Sequence, residues 1–267
     1  GIIPIEAAAI GVVVTAFIGY FASRAVPPAP SLLAKQPIDF HVIRSSVALV
    51  RGTMHIPRLY LAIMSISFFW AVGSVLFIQF PPLVKNVLTA DKSVASLFLA
   101  IFSIGIAIGS IAINRLLAGH VSAKYAPASV IGMGCCIIAF HVVCDLWTPA
   151  PGGQMLPLAG FLAHPMAIPL SLCLLGVATF GGMFVVPLYA FLTTTVEKCE
   201  AARTVAANNI VNSGAMVVGS LIAICLTLAG LEVVYQLLLV AAMCLPCAWL
   251  AWRLHKACDG PACSGEL

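Results

Sequence analysis

Charge is what this sequence has least of. Asp, Glu, Lys and Arg make up 8% of its 267 residues, against about 25% in an ordinary soluble domain. The hydrophobic share is 62%. Thirteen Lys and Arg with nine Asp and Glu cannot cover a body of 27.9 kDa, so a water-soluble globule is excluded and lipid must be the main solvent. The net charge of +4 is small and its cations are scattered, which argues against a nucleic-acid surface.

Clustered acids, bases and nucleophiles are also missing, and with them the ingredients of an active site. There is no phosphate-binding Gly-Lys loop and no dinucleotide Gly pattern; Gly105 and Gly109 lie within an apolar run. The best pair, His141 and Asp145, stands at i and i+4 and so shares a helix face. A glycerolipid acyltransferase box needs four residues between His and Asp, and three intervene here. The pair reads as a His–carboxylate contact satisfied near the membrane interface. Most of the ten cysteines, including Cys144, Cys173, Cys225 and Cys244, stand singly in apolar runs, where a thiol acts as a small hydrophobe. Cys135-Cys136 and the pair Cys258 and Cys263 lack companions at zinc-site spacing, so no metal site and no cofactor are expected.

What is present is apolar length. About 20 residues cross roughly 30 Å of hydrocarbon, and seven runs reach that length: approximately Ile2 to Phe21, Leu59 to Val84, Val94 to Ile113, Tyr125 to Cys144, Pro165 to Thr193, Thr204 to Leu228 and Val233 to Trp252. The expected fold is an all-α integral membrane protein of seven transmembrane helices. Its parts are a helix in residues 1–22, a loop in 23–57, a six-helix bundle in 58–254 and a tail in 255–267. If the first span ends in the cytoplasm, eleven cations fall inside: Arg24, Lys35, Arg44, Arg51, Arg58, Arg115, Lys124, Lys198, Arg203, Arg253 and Lys256. Only Lys85 and Lys92 fall outside. Lys and Arg in short loops are retained in the cytoplasm, so the chain starts outside and ends inside. With no Met and no basic segment before the first run, a fragment of a longer protein is expected rather than a cleaved signal peptide.

The loop opens on Pro27-Pro28-Ala29-Pro30, which stops a helix. It then turns amphipathic: Phe40, Ile43, Val47, Val50 and Met54 step by three and four beside His41, Arg44, Arg51 and His55. This predicts a short helix on the cytoplasmic lipid surface.

Small and polar residues inside the spans mark the candidate site. Gly105 and Gly109 are one turn apart, and Gly181, Gly182 and Pro187 crowd the fifth span. These residues permit close helix packing, and in the fifth span a kink or hinge. In the sixth span Asn208 pairs at i+4 with Asn212, and Asn209 with Ser213. An amide facing hydrocarbon is costly, so that side must meet protein or a wet cavity. Gln79 faces the same choice, and Tyr189 and Thr193 could join it from the fifth span.

Several strings resemble the bacterial lysophospholipid transporters of the major facilitator superfamily. They are Phe69-Trp70 through Gln79-Phe80-Pro81, Ser103-Ile-Gly-Ile-Ala-Ile-Gly109, Gly181-Gly-Met-Phe-Val-Val-Pro-Leu188 with Tyr189, and Ala206-Ala-Asn-Asn209 through Asn212-Ser-Gly-Ala-Met216. The resemblance implies that the seven spans are helices 6 to 12 of a twelve-helix transporter, with the partnering N-terminal half missing from this sequence. It implies transport of lysophosphatidylethanolamine-class lipid between leaflets of the bacterial inner membrane by alternating access, without enzymatic activity of its own. Gln79, Asn208, Asn209, Asn212 and Tyr189 are then cavity residues. Gly181, Gly182, Pro187, Gly105 and Gly109 are hinge or gate residues, and Arg115 and Arg203 are cytoplasmic loop charges. Some relatives are fused to a downstream acyltransferase, and Gln79-Phe80-Pro81 is similar to that group. The chain departs from the stand-alone transporters at Phe77, where they often carry Arg, and at Asn114-Arg115, which lacks the acidic partner usual in the superfamily.

Overall fold

The computed structural model describes residues 5–27, 40–149 and 155–259. Outside them fall the first residues of the first span, Lys35, the middle of the loop from Thr148 to His164, and the tail from residue 260 with Cys263. Among the described residues the protein is helical, and Ala90 and Leu156 form an isolated bridge.

The chain divides into two units, Gly1–Ile38 and Asp39–Leu267. The first contributes α1, Ile5–Arg24, an apolar helix of 20 residues. Its exposed Thr15 satisfies its hydroxyl on the carbonyl of Gly11, 2.8 Å away.

The second unit holds α2 (Val42–Met54), α3 (Pro57–Pro82), α4 (Lys92–Leu116), α5 (Ala126–Asp145), α6 (Leu158–Ala163), α7 (Ala167–Thr194), α8 (Ala201–Leu228) and α9 (Val233–Asp259). Six of these, α3, α4, α5, α7, α8 and α9, are long and apolar enough to cross a membrane, which makes this a multi-pass all-α membrane protein. Pro at N1 starts α3, where its missing N–H costs nothing. Pro81 and Pro82 loosen its far end, and the chain leaves through a π-helical turn, Leu83–Val87. The next loop is pinned by backbone bonds of Thr89 and Asp91 to Leu156, at 2.7 and 2.9 Å.

The packing has an internal symmetry. The main helix pairs are α4 with α7, α5 with α7, α3 with α8, α3 with α9 and α5 with α9, and α3 also meets α7. Exchanging α3 with α7, α4 with α8 and α5 with α9 leaves this set unchanged. Three helices per repeat is an odd number, so α7 begins at the end of the bundle opposite to α3 and the repeats run inverted. The core lies chiefly along α3, α5, α7 and α9, with Leu59, Ile63 and Phe184 fully buried, and α4 and α6 add the fully buried Phe98 and Phe161. The middle helices of the repeats, α4 and α8, are the least buried spans.

The two ends differ. Around the start of α3 and the end of α9 lie Arg58, Arg115, Lys124, Lys198, Arg203, Arg253 and Lys256. There Arg253 lies 5.0 Å from the Trp249 ring and Lys256 4.0 Å from the Trp252 ring, pairs that suit a headgroup layer. At the opposite end Trp147 stacks on His164 at 3.8 Å and near Phe161 at 5.5 Å.

The amphipathic helix expected in the loop forms as α2, but its faces are divided differently from the sequence stripe. Val50 and Met54 are half-buried, and α2 packs on α8 and α3 through the side that includes buried Thr53. Phe40, Ile43 and Val47 remain exposed.

The expected pairing of His141 with Asp145 is not made. The Nδ1–H of His141 donates to the carbonyl of Val234, 2.8 Å away. Because α5 packs along α9, the Val234 carbonyl in the first turn of α9, which has a second lone pair beyond its intrahelical bond, lies nearer to hand than a carboxylate that the aqueous interface already solvates.

Candidate functional site

The amides of the sixth span meet different fates. The buried side of α8 carries Thr204, Ala207, Asn208, Asn212, Gly219 and Ala223. Asn212 Oδ1 accepts from Ser67 Oγ at 2.7 Å, and Asn212 Nδ2 donates to the hydroxyl of Tyr189 at 3.2 Å. Trp70 Nε1 donates to the same hydroxyl at 2.9 Å. One node thus ties α3, α7 and α8. Both acceptor positions of the phenol oxygen are occupied, leaving its proton as the group it can offer. Ser67 lies ten residues into α3, about 15 Å along the axis and close to the middle of a 30 Å hydrocarbon layer.

Asn208, one turn nearer the cation-rich end, is 0% exposed. Its Oδ1 has no hydrogen-bond partner among the described residues, and its Nδ2 reaches Asn209 Oδ1 at 3.5 Å. Asn209 and Ser213 form an exposed row on α8.

Beside the node a groove of about 490 Å³ runs between α3, α4 and α7. It is lined by Phe69, Trp70, Gly73, Phe77, Phe102, Ser103, Ile106, Val185 and Tyr189. Five of these are aromatic and none is charged. Phe77 and Phe102 meet edge to face at 4.9 Å. Phe77 also borders a second groove of about 500 Å³ against α8, with Ser74, Ile78, Met216, Val217, Ser220 and Leu221. Gly73 is buried, yet a Cβ there would meet nothing within 4 Å, so the missing side chain is part of the groove's width.

Gln79 belongs to another cluster. Its Nε2 donates to Gln236 Oε1, and Gln236 Nε2 donates to Thr227 Oγ1 and to the carbonyl of Leu231, both at 2.9 Å. This cluster joins α3, α8 and α9 twelve residues beyond Ser67, roughly 18 Å further along α3. Tyr189 and Asn212 are therefore brought together, Asn208 and Asn209 flank them, and Gln79 stands apart.

The glycines serve close approach. A Cβ on Gly105 would lie 2.5 Å from Ala178 Cβ, and one on Gly109 would run into the carbonyl oxygen of Thr179. In return, a Cβ on Gly182 would lie 2.5 Å from the carbonyl oxygen of Ile106, and one on Gly181 3.0 Å from the Phe69 ring. α4 and α7 thus cross backbone against backbone. Pro187 is buried inside a continuous α7. Arg115 closes α4, exposed, and Arg203 pairs with Glu200 at 3.3 Å.

Ser67, Trp70, Ser103, Phe102 and Gln236 were not singled out as site residues from sequence. Gln236 could have been: it is the sole amide in α9, and the cost of an unpartnered amide applies to it as to Gln79. Ser67 gave no such signal, since Ser can satisfy itself on a carbonyl of its own helix, as Ser65 does on Leu61 at 2.7 Å.

No protein-family model, curated protein or solved structure matches this chain.

Proposed function

We propose that this protein moves an amphiphilic lipid of the lysophospholipid class, lysophosphatidylethanolamine or a near relative, between the leaflets of the bacterial inner membrane by alternating access. The observation that carries this reading is the polar node and uncharged aromatic groove shared by α3 and α7, the first helices of the two inverted repeats. Midplane sites at repeat interfaces belong to transporters that rock one repeat or bundle against the other. Inverted triplets within a six-helix half are also the arrangement of major facilitator transporters, in keeping with the sequence resemblance.

The groove's chemistry narrows the cargo. A sugar would need a dense set of hydrogen-bond partners, whereas this wall is mostly aromatic and aliphatic with polar groups gathered at Tyr189, Ser103 and the node. A lysolipid divides in the same way. Its acyl chain needs only apolar surface, and its zwitterionic headgroup carries no net charge, so it can be held by neutral donors to the phosphate and neutral acceptors to the ammonium without a buried counter-ion. The exposed row of Asn209 and Ser213 must face water or another part of the transporter, since it lies within a span. In the working cycle this row borders the aqueous path. Gly181, Gly182, Pro187, Gly105 and Gly109 provide a tight crossing about which α4 and α7 shift as a pair.

The test is translocation of labelled lysophosphatidylethanolamine across proteoliposomes containing the full-length protein, against sugars and amino acids in parallel. Preferential lysolipid movement is expected. Uptake of a soluble solute with no lysolipid movement rejects the proposal.

A further inference from the structure

We propose that the outward face of α2 is a docking surface for an anionic bilayer, so that the lipid headgroups on the cation-rich side hold α2 and, through it, α8. Phe40, Ile43 and Val47 are 87%, 82% and 61% exposed. Counting 100° per residue, Ile43 and Val47 share one flank of the helix, Phe40 lies just before its N-cap His41, and Arg44 and Arg51, also exposed, stand on the flank adjoining. The side turned away from it, with Leu49 and Thr53, faces the bundle, chiefly α8, and Val50 is half-buried at the edge of the exposed flank. The apolar flank is therefore left over after packing is complete, and water is a poor neighbour for it.

Depth and charge select the occupant. α2 ends at the start of α3, at the end of the bundle where the Trp249 and Arg253 pair and the Trp252 and Lys256 pair mark the headgroup layer. An apolar strip beside two arginines at that depth matches acyl-chain surface beside negative headgroups, and suits a neutral protein surface less well. This inference stands apart from the identity of the transported molecule.

Hydrogen exchange of the full-length protein in nanodiscs tests it, comparing phosphatidylglycerol-rich with pure phosphatidylcholine bilayers. The amides of α2 are expected to exchange about tenfold or more slowly in the anionic discs, given two cations near the surface, while those in the middle of α3 do not change. The Arg44→Gln/Arg51→Gln double variant should lose the lipid dependence, and Ile43→Asp/Val47→Asp should lose the protection in both lipids. All four positions lie on the exposed flanks, so the packed side of α2 stays intact. Equal exchange in the two lipids, or lipid dependence that survives removal of both arginines, overturns the proposal. So does protection of α2 in detergent micelles equal to that in anionic discs, which would point to protein contacts alone.

Discussion

Asn208, Asn209 and Asn212 are separated by single residues or one helical turn, yet they stand in three physical situations. Asn212 is bonded to Ser67 and Tyr189 in a buried node. Asn208 is buried with an oxygen that has no partner among the described residues. Asn209 is exposed. Replacing Asn212 by Leu breaks two interhelical hydrogen bonds and leaves the Ser67 hydroxyl to find another acceptor. A loss of roughly 0.6 kcal/mol per bond is expected, about 1 kcal/mol in all, read as a lower midpoint in thermal unfolding. Asn209→Leu removes no interhelical bond, only the long 3.5 Å contact from Asn208 Nδ2, so the midpoint should fall by less than in Asn212→Leu while transport per folded molecule falls. An Asn209→Leu protein with full specific activity would remove that side chain from the path. The sequence alone showed that these amides need partners, because burying an amide without one is costly. It could not say which amide finds one, since Ser67 is 145 residues away and only the pairing of α3 with α8 brings it near. For the same reason Gln79 was grouped with residues that lie roughly 18 Å from it along the helix axis.

Helix lengths and boundaries were legible because apolar runs of about 20 residues have few alternatives; the neighbour of each helix was not. Glycines illustrate the gap. Gly73, Gly109 and Gly182 all sit within spans, and nothing local distinguishes a notch in a groove from a helix crossing. In the structure a Cβ at Gly109 or Gly182 collides with backbone of the facing helix, which cannot swing aside as a side chain can. At Gly73 it meets open space. Gly109→Val should therefore cost about 1–3 kcal/mol or more by overpacking. Gly73→Ala should leave stability unchanged or raise it by roughly 0.5–1 kcal/mol, the usual gain of Ala over Gly inside a helix. Gly73→Leu should fold and narrow the groove. Thermal unfolding of the three variants in one detergent checks the order. A Gly109→Val protein as stable as Gly73→Ala would mean that α4 and α7 do not cross as closely as described.

At the scale of the molecule, the inverted repeat and the cation distribution constrain each other. Each repeat has three spans, so the first helices of the two repeats start on opposite sides, and the six connected spans return the chain to the side on which α3 began. That side gathers Arg44, Arg51, Arg58, Arg115, Lys124, Lys198, Arg203, Arg253 and Lys256 of the described cations, and the other side has Lys85 and Lys92. Moving the larger group across the membrane during insertion is opposed by the rule that retains Lys and Arg in short loops. The cation-rich side is thus expected in the cytoplasm. Two exposed positions in short turns report on it: His120, between α4 and α5, and Ala229, between α8 and α9. In a cysteine-free background that retains transport, His120→Cys should resist a membrane-impermeant maleimide added to intact cells and react once the cells are opened. Ala229→Cys should react from outside. Labelling of position 120 from outside with protection of position 229 would invert the topology, and would place α2 and its arginines on the outer face, away from the cytoplasmic leaflet whose negative surface potential draws basic segments to it.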